Sequence, residues 1–345
     1  MTENSKQPTQ RTLIMAIETS CDETSVAVVA DGVHILSNVV SSQIDIHQRF
    51  GGVVPEIASR KHVETITRMM AEALQSAGVH RYELTAVAVT QGPGLVGSLL
   101  VGMMAAKTFA YAIEIPLIGV HHIAGHIYAN ALVHQMEYPL MALVVSGGHT
   151  ELVHVPAEGK FDIIGCTRDD AVGEAYDKVA RALGLPYPGG PHVDKLAHQA
   201  DAEIEMPRAW LEADSYDFSF SGIKAHVLSL VNQAKMRGDV ENKPGISLGF
   251  QRSVVDVLVT KTMRAAAQYG VKQVLLCGGV AANRGLRGEL QAACNANAMP
   301  LLLPPLDLCT DNAAMIAAAA YLKWKRGEFA SLELKAEPMF ALEAW

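Results

Sequence analysis

Two regions of the chain show the same order of apolar and polar positions. Each contains three short apolar runs of strand character, at residues 13–17, 25–30 and 33–41 and at residues 140–145, 151–155 and 161–166. A polar turn separates the first run from the second in both regions, Glu18–Thr24 in one and Ser146–Thr150 in the other. Because helices and further strands follow each triplet, the repeated order predicts a duplicated α/β fold with two lobes and a ligand cleft between them.

The same order gives the boundaries of the lobes. We expect residues 1–11 to form a disordered tail, residues 12–136 the N-terminal lobe and residues 137–324 the C-terminal lobe. A C-terminal helix from about residue 325 to residue 345 is expected to pack back onto the N-terminal lobe.

Longer elements follow from helical periodicity and from turn residues. Helices are predicted at residues 55–77, 170–183, 223–236 and 248–269, and another begins at about residue 192 after a rigid proline–glycine loop at 184–191. The longest uncharged run, Leu84–Ala106, is interrupted by Gln91–Gly94, which divides it into a strand and a helix. A membrane-spanning helix needs about 20 consecutive apolar residues, so we expect a soluble protein without a membrane span.

Composition limits the class of protein and its compartment. Of the 345 residues, 50% are hydrophobic and 19% are charged, which is typical of a globular protein with sizeable cores. The formal net charge of -8 argues against a protein that coats nucleic acid unaided. The five cysteines are scattered and form no C-x-x-C pair, which suits a reducing cytosol, so we expect a cytoplasmic protein.

A pair of histidines is the first candidate for chemistry. His122 and His126 are four residues apart, so on a helix both imidazoles lie on one face, close enough to share a metal ion. Ile123 and Gly125 occupy the positions at which zinc proteases carry their catalytic glutamate. Asp311, between the last strand and a helix, is the natural third ligand. The alternative is structural, with histidines bonded to backbone carbonyls and Asp311 as a helix cap.

Three glycine-bearing turns are candidates for binding a nucleotide through backbone amides. They lie at Ser146–Gly148, Pro188–Gly190 and Gly278–Gly279. The chain contains no P-loop motif and its N-terminal turn contains no glycine, so this is neither a P-loop nor a Rossmann site. Asp177 and Asp194 flank the proline–glycine loop and could bind sugar hydroxyls, or act only as solvated or capping residues.

With these residues assembled, the chain from about Leu13 to Lys323 closely resembles the tRNA N6-adenosine threonylcarbamoyltransferase (TsaD) family, in the actin-like ATPase (ASKHA) superfamily. Nine motifs in the same order carry the resemblance. They are Ile17–Thr24, Pro55–His62, Gly92–Leu95, His122 with His126, Val145–Thr150, Gly173–Lys178, Phe218–Gly222, Gly278–Asn283 and Thr310–Asn312.

The resemblance implies a reaction and a site. The threonylcarbamoyl group of threonylcarbamoyl-AMP would pass to N6 of adenosine 37 in tRNAs that read ANN codons, releasing AMP. His122, His126 and Asp311 would hold one divalent metal per subunit, Fe²⁺ or alternatively Zn²⁺, which acts as a Lewis acid. Asp22 and Glu23 would orient the transferred group or the attacking amine. The adenylate would be bound by Val145, Ser146, Gly147, Gly148, His149, Asp177, Gly190, Asp194 and Asn283.

The resemblance also implies partners. A TsaB-like paralogue of the same fold would pair with the small-residue and alanine-rich helices of the first half, and a TsaE-like ATPase would join them. For tRNA phosphates the candidates are Arg49, Arg60, Lys61, His62 and Arg168, although a solvated face explains each equally well. Two alternative activities stay open at this point, an actin-like ATPase or phosphotransferase and a metalloendopeptidase.

Overall fold

The computed structural model describes residues 11–238 and 242–345, and these contain two five-stranded sheets. The expected tail at residues 1–11 lies outside them except for its last residue. The first sheet has the strand order β3-β2-β1-β4-β5. Its strands are β1 (Leu13–Glu18), β2 (Glu23–Ala30), β3 (His34–Ser42), β4 (Ala86–Gly92) and β5 (Leu117–His121). The first three strands pair antiparallel, and β4 and β5 extend the sheet in parallel.

The second sheet repeats this plan. Its strands are β6 (Leu140–Val145), β7 (Thr150–Val155), β8 (Asp162–Cys166), β9 (Gln273–Cys277) and β10 (Leu301–Leu302). The order β10-β9-β6-β7-β8 again joins three antiparallel strands to two parallel ones. The duplicated α/β fold predicted from the order of apolar runs is therefore confirmed.

Ten helices connect the strands within the described residues. They are α1 (Ile44–His47), α2 (Pro55–Ala77), α3 (Val96–Ile113), α4 (His122–Tyr128), α5 (Val172–Ala182), α6 (Gly189–Ala197), α7 (Ser221–Arg237), α8 (Lys243–Gln268), α9 (Arg284–Ala296) and α10 (Ala313–Arg326). Helix α8 begins five residues before the predicted start, because the Asn242 side chain accepts a hydrogen bond from the Gly245 amide and caps the helix. Helix α6 likewise begins inside the predicted loop.

Alternation along the central strands divides the core into three clusters. In β1, Ile14 and Ala16 face one cluster while Met15 and Ile17 face another, as expected for side chains that point to opposite faces of a sheet. The cluster that contains Ile14 and Ala16 also contains residues from both sheets and from α4 and α10. These two helices therefore lie between the lobes, where their positions depend on both.

The contact between α4 and α10 is unusually close at one point. A Cβ atom placed on Gly125 would lie 2.8 Å from Cδ1 of Ile316, nearer than real side chains approach. Buried alanines make up much of α10, which keeps that helix narrow. The close approach brings the start of α10, and Asp311 just before it, next to the histidines of α4.

The C-terminal segment, residues 327–345, is not the helix expected there. It contains only a short turn of 3₁₀ helix at Leu342–Ala344, and backbone hydrogen bonds tie it to the first sheet. The Ala330 amide donates to Leu117 over 2.8 Å, and the Glu337 amide donates to Gln91 over 2.8 Å. Because its hydrogen-bonding groups are used by β4 and β5, the segment packs on the N-terminal lobe without forming a helix of its own.

One helix in the described residues, α3, is long and apolar enough to cross a membrane by length and composition. In the fold it lies along β4 and α2 and contributes Met103, Ala106 and Ala110 to the core of the first lobe. This packing is that of a helix that covers a sheet.

Substituting Gly92 tests how closely the C-terminal segment packs against β4. A Cβ atom at this position would lie 1.8 Å from the Glu337 carbonyl oxygen, so we expect Gly92→Ala to lower the free energy of unfolding by about 2 kcal/mol in urea denaturation. Gly288→Ala is the matched control, since its Cβ meets nothing within 4 Å and the substitution should add about 0.5–1 kcal/mol of helix stability. Equal stability of the two variants would contradict the close contact.

Candidate metal centre and the cleft beside it

Helix α4 carries both candidate histidines, and the residue before it sets where the helix begins. The His121 side chain accepts a hydrogen bond from the Ile123 amide through Nδ1 and donates from Nε2 to the Phe340 carbonyl over 2.9 Å. Burial lowers the pKa of His121 to about 3, so the ring is neutral at physiological pH. His121 is thus a structural cap, held by the C-terminal segment.

His122, His126 and Asp311 come together as predicted. Nε2 of His126 lies 3.1 Å from Oδ1 of Asp311, and Nε2 of His122 lies 3.5 Å from the same oxygen. The two imidazole centroids are 4.7 Å apart. Among the described residues this is the one group of three or more His, Cys, Asp or Glu side chains arranged to hold a metal ion.

The electrostatics of the cluster favour a cation. Burial raises the pKa of the Asp311 carboxyl, but the charges and hydrogen bonds of His122 and His126 outweigh it and lower the pKa well below its usual value. Burial also lowers the pKa of His122, yet Asp311 and Glu18 raise it well above its usual value. Two carboxylates therefore face one imidazole pair in a site with little access to water.

The burial of His126 and the spacing of the ligand atoms also fit a bound metal ion. Nε2 of His126 contacts the Asp311 carboxylate, but its Nδ1 has no hydrogen-bond partner among the described residues, although the side chain is fully buried. An unpaired buried nitrogen is costly unless something else binds it. Ligand atoms about 2.1 Å from one ion lie about 3.0–3.5 Å apart, which matches the distances of 3.1 and 3.5 Å from Asp311 to the two histidines.

Sequence reasoning missed Glu18, which lies directly behind His122. Its Oε2 is 3.0 Å from Nδ1 of His122, and the side chain is fully buried. Glu18 is the last residue of β1 and one member of the Ile17–Thr24 motif. A charged residue ending an otherwise buried strand was the available signal.

Asp22 ends the turn between β1 and β2, and Glu23 is the first residue of β2, at the edge of the cluster. Asp22 is buried, and Glu23 accepts a hydrogen bond from the Ser42 hydroxyl over 3.0 Å. Burial, then the charges of Asp22 and Asp311, raise the pKa of Glu23 well above its usual value. The structure therefore brings Glu23 within electrostatic reach of Asp311, with Asp22 beside it.

The turn after β6 forms one wall of the cleft. The Ser146 amide donates to the His149 carbonyl, and the Ser146 hydroxyl accepts from the His149 amide, which fixes Val145–His149 as a tight turn. Gly147 and Gly148 are exposed, and Cβ atoms on them would meet nothing within 4 Å. Their backbone is therefore open to a ligand.

The other predicted adenylate residues have structural partners of their own. Asp177 accepts a hydrogen bond from the Gly189 amide over 2.6 Å at the start of α6, where the Gly190 backbone also contacts it. Asp194 pairs with Arg284 over 2.8 Å, and its second oxygen, Oδ1, is buried 3.5 Å from Nδ1 of His198 without a hydrogen bond among the described residues. Asn283 caps α9 by accepting from the Leu286 amide over 2.8 Å.

A cavity of about 310 Å³ lies between the start of α4 and the C-terminal segment. His121, His149 and Glu151 line it together with residues 338–343. Burial and the charge of Glu343 raise the pKa of Glu151 to about 7. The ring of His149 lies near enough to His122 and His126 for their charges to lower its pKa, although burial is the larger cause.

The predicted basic cluster is only partly exposed. His62 is fully buried, and its Nδ1 lies 2.7 Å from the Thr24 hydroxyl, so its interpretation as a phosphate contact is wrong. Arg168 is paired with Glu212 and Asp217, both over 2.9 Å. Arg49 and Arg60 are exposed, and no ion pair joins them to another described residue.

Comparisons with known proteins agree with this geometry. A family model described as TsaD, tRNA N6-adenosine threonylcarbamoyltransferase, matches residues 34–318. The chain is 62% identical over 334 residues to the protein of that name from Halalkalibacterium halodurans, covering 97% of both chains. It is 60% identical over 336 residues to the one from Bacillus cereus, covering 97% of this chain and 98% of the relative.

Solved structures of distant relatives share the fold. The chain is similar to component A of (R)-2-hydroxyglutaryl-CoA dehydratase from Acidaminococcus fermentans, with a TM-score of 0.54 and 15% identity over 92% of this chain and 98% of that one. Full-length HypF in a phosphate- and nucleotide-bound form gives a TM-score of 0.60 at 15% identity, over 92% of this chain and 47% of HypF. At these identities the likeness shows the actin-like two-lobed fold alone.

Metal binding tests the cluster directly. We expect His126→Ala and Asp311→Ala to weaken cobalt binding by more than about 100-fold, because each removes one of only three protein ligands. His154→Ala is the matched control, since His154 also pairs with a carboxylate, Asp162 at 3.1 Å, but lies outside the cluster. Chelator competition measures the affinity, and circular dichroism checks the fold. Full affinity in both ligand variants would exclude these residues as ligands.

Proposed function

The chain belongs to the tRNA N6-adenosine threonylcarbamoyltransferase family, and on that premise we propose how it modifies tRNA. The donor is threonylcarbamoyl-AMP, the acceptor is N6 of adenosine 37 in tRNAs that read ANN codons, and AMP leaves. The observation that carries this proposal is the His122, His126 and Asp311 cluster beside an open glycine turn. A metal-binding group and a phosphate-binding backbone lie side by side, as the transfer requires.

The metal is Fe²⁺ in this proposal, with Zn²⁺ as the alternative. Two imidazoles and one carboxylate with open positions form a donor set typical of Fe²⁺ sites, while imidazole also suits zinc. Bound there, the ion supplies Lewis-acid polarisation of the carbamoyl carbonyl or of the threonyl carboxylate. His122, His126 and Asp311 hold it, and their burial keeps competing water away.

The chain has no P-loop motif whose lysine could bind the phosphate of the adenylate. In this proposal the phosphate is therefore bound by backbone amides. The amides of Gly147 and Gly148 donate to the phosphate, and the turn that Ser146 and His149 close keeps them in place. Gly190 leaves room for the sugar, as its Cβ would meet nothing within 4 Å. Asp194 is the proposed acceptor for a sugar hydroxyl, since its Oδ1 makes no hydrogen bond and has His198 Nδ1 3.5 Å away.

Asp22 and Glu23 orient the transferred group or the attacking amine. Burial and the charges of Asp22 and Asp311 raise the pKa of Glu23, and we assign the exchange of a proton with the substrate to this carboxyl. Its hydrogen bond from Ser42 holds the carboxyl in one orientation.

A TsaB-like paralogue is proposed to pair with α3. Val96, Leu100, Met104 and Tyr111 lie within one quadrant of this helix and are 48–73% exposed. An apolar stripe of this kind on an otherwise folded lobe suits a partner helix of the same character. A TsaE-like ATPase would complete the assembly.

Transfer RNA is proposed to contact Arg49 and Arg60, the two members of the basic cluster that stay exposed without a described ion pair. All five cysteines are free, as expected in a reducing compartment, and we propose a cytoplasmic location.

Reconstitution tests the reaction. Protein, a TsaB-like paralogue, a TsaE-like ATPase, threonylcarbamoyl-AMP and unmodified tRNA are mixed, and threonylcarbamoyladenosine is measured by mass spectrometry. We expect product from wild type and at least about a 100-fold lower turnover in Glu23→Gln with unchanged metal content, since a proton-exchanging carboxyl is lost. Ser42→Ala keeps the carboxyl and should retain most of the activity. ATP hydrolysis without tRNA modification by wild type would favour an ATPase instead.

Association with the paralogue tests the apolar stripe. We expect Leu100→Glu to weaken binding at least tenfold, about 1.4 kcal/mol, because it buries a charge among apolar side chains. Met236→Glu is the control, since Met236 is 88% exposed on α7 in the other lobe. Calorimetric titration gives both constants. Equal loss in the two variants, or none in either, would place the partner elsewhere.

A further inference from the structure

The buried carboxylate of Glu18 lies behind one metal-binding histidine and has no equivalent behind the other. Nδ1 of His122 is 3.0 Å from Oε2 of Glu18, while Nδ1 of His126 has no hydrogen-bond partner. We propose that Glu18 is a positioning residue, which fixes the proton of His122 on Nδ1 so that its Nε2 lone pair faces the metal. This inference rests on the proposed metal centre.

The hydrogen bonds of Glu18 leave it only one role toward His122. Oε1 accepts from the Ser20 amide over 2.5 Å, and Oε2 accepts from the Thr90 hydroxyl over 2.5 Å. A carboxylate that receives these donors is an acceptor, so the third contact must also come from a donor, which is Nδ1–H of His122. With one proton held on Nδ1, Nε2 is the nitrogen that gives up its proton to an incoming metal ion, and it points toward Asp311, 3.5 Å away.

Charge balance supports the same assignment. Once a divalent cation has displaced the proton from Nε2 of His122, Glu18 and Asp311 supply two negative charges and the two imidazoles none, so these four side chains and the cation are neutral together. Without Glu18 the bound ion would leave a net positive charge in a site largely excluded from water.

A second acceptor lies near the same nitrogen and has to be distinguished. The Ser20 hydroxyl is 3.2 Å from Nδ1 of His122 and could accept its proton instead. A carboxylate is the stronger acceptor, since charge-assisted hydrogen bonds are roughly twice as strong as neutral ones. We therefore assign the positioning role to Glu18, with the hydroxyl as a secondary contact.

Glu18→Gln is a sharp test because the Ser20 backbone amide fixes the orientation of the glutamine side-chain amide. The Ser20 amide needs an oxygen opposite it, so the glutamine NH₂ takes the place of Oε2 and faces Nδ1 of His122. A donor at that place favours the proton on Nε2, which removes the lone pair that binds the metal. Ser20→Ala is the matched control, because it removes the competing hydroxyl and keeps the Ser20 backbone amide.

The experiment measures cobalt and zinc affinity by chelator competition, with apo-protein thermal unfolding to confirm that each variant folds. We expect Glu18→Gln to weaken cobalt binding about 10- to 100-fold and Ser20→Ala to change it far less. In the zinc-loaded wild type, ¹⁵N-histidine spectra should show the proton of His122 on Nδ1, and this signal should be lost in Glu18→Gln.

Three results would overturn the inference, and they separate it from the metal centre itself. Wild type that binds neither metal would remove the proposed centre and this role together. If wild type binds metal and Glu18→Gln lowers the cobalt affinity less than about tenfold, the metal centre is supported but the positioning role of Glu18 is excluded. Equal losses in Glu18→Gln and Ser20→Ala would transfer the role to the hydroxyl.

Discussion

The close packing of α4 against α10 is the constraint on which the site depends. Because Gly125 has no side chain, Ile316 of α10 packs closer to α4 than any Cβ atom would allow. The small alanine side chains of α10 let this helix lie between the two sheets. Asp311 immediately precedes this helix, so its distance from His126 is set by how closely the helices pack. A larger residue at position 125 would separate ligands contributed by different lobes, and the chemistry therefore follows from a packing requirement.

Much of the fold follows from the sequence because its strands are buried on both faces. The run at residues 140–145 matches β6 residue for residue, since an apolar stretch bounded by a polar turn leaves few alternatives. The histidine pair was recognised for a similar reason, as helical spacing alone places both rings together. Residues 327–345 escaped prediction because backbone hydrogen bonds to Gln91 and Leu117 hold them, and such bonds leave no pattern in side chains.

The site was harder to predict where a residue type has two roles. His62 belongs to a basic run in the sequence, yet its ring bonds to Thr24 inside the first lobe, and charge patterning carries no information on burial. Glu18 shows the reverse case. The sequence places it at a strand end, where a solvated carboxylate is ordinary, and only the fold brings Thr90 and His122 to it.

The residues predicted to bind the adenylate differ in whether their hydrogen-bonding groups are already used within the protein. Asp177 and Asn283 already cap helices, so their first effect is to fix the shape of the cleft. The open backbone of Gly147 and Gly148 is uncommitted, and backbone amides recognise a phosphate without regard to what it carries. In the proposed function, recognition of the threonylcarbamoyl group is assigned to the cluster and to Asp22 and Glu23, and Glu23 lies within electrostatic reach of Asp311. Because the cluster itself takes His122 and His126 from α4 and Asp311 from the residues before α10, the proposed chemistry depends on how these two helices pack together.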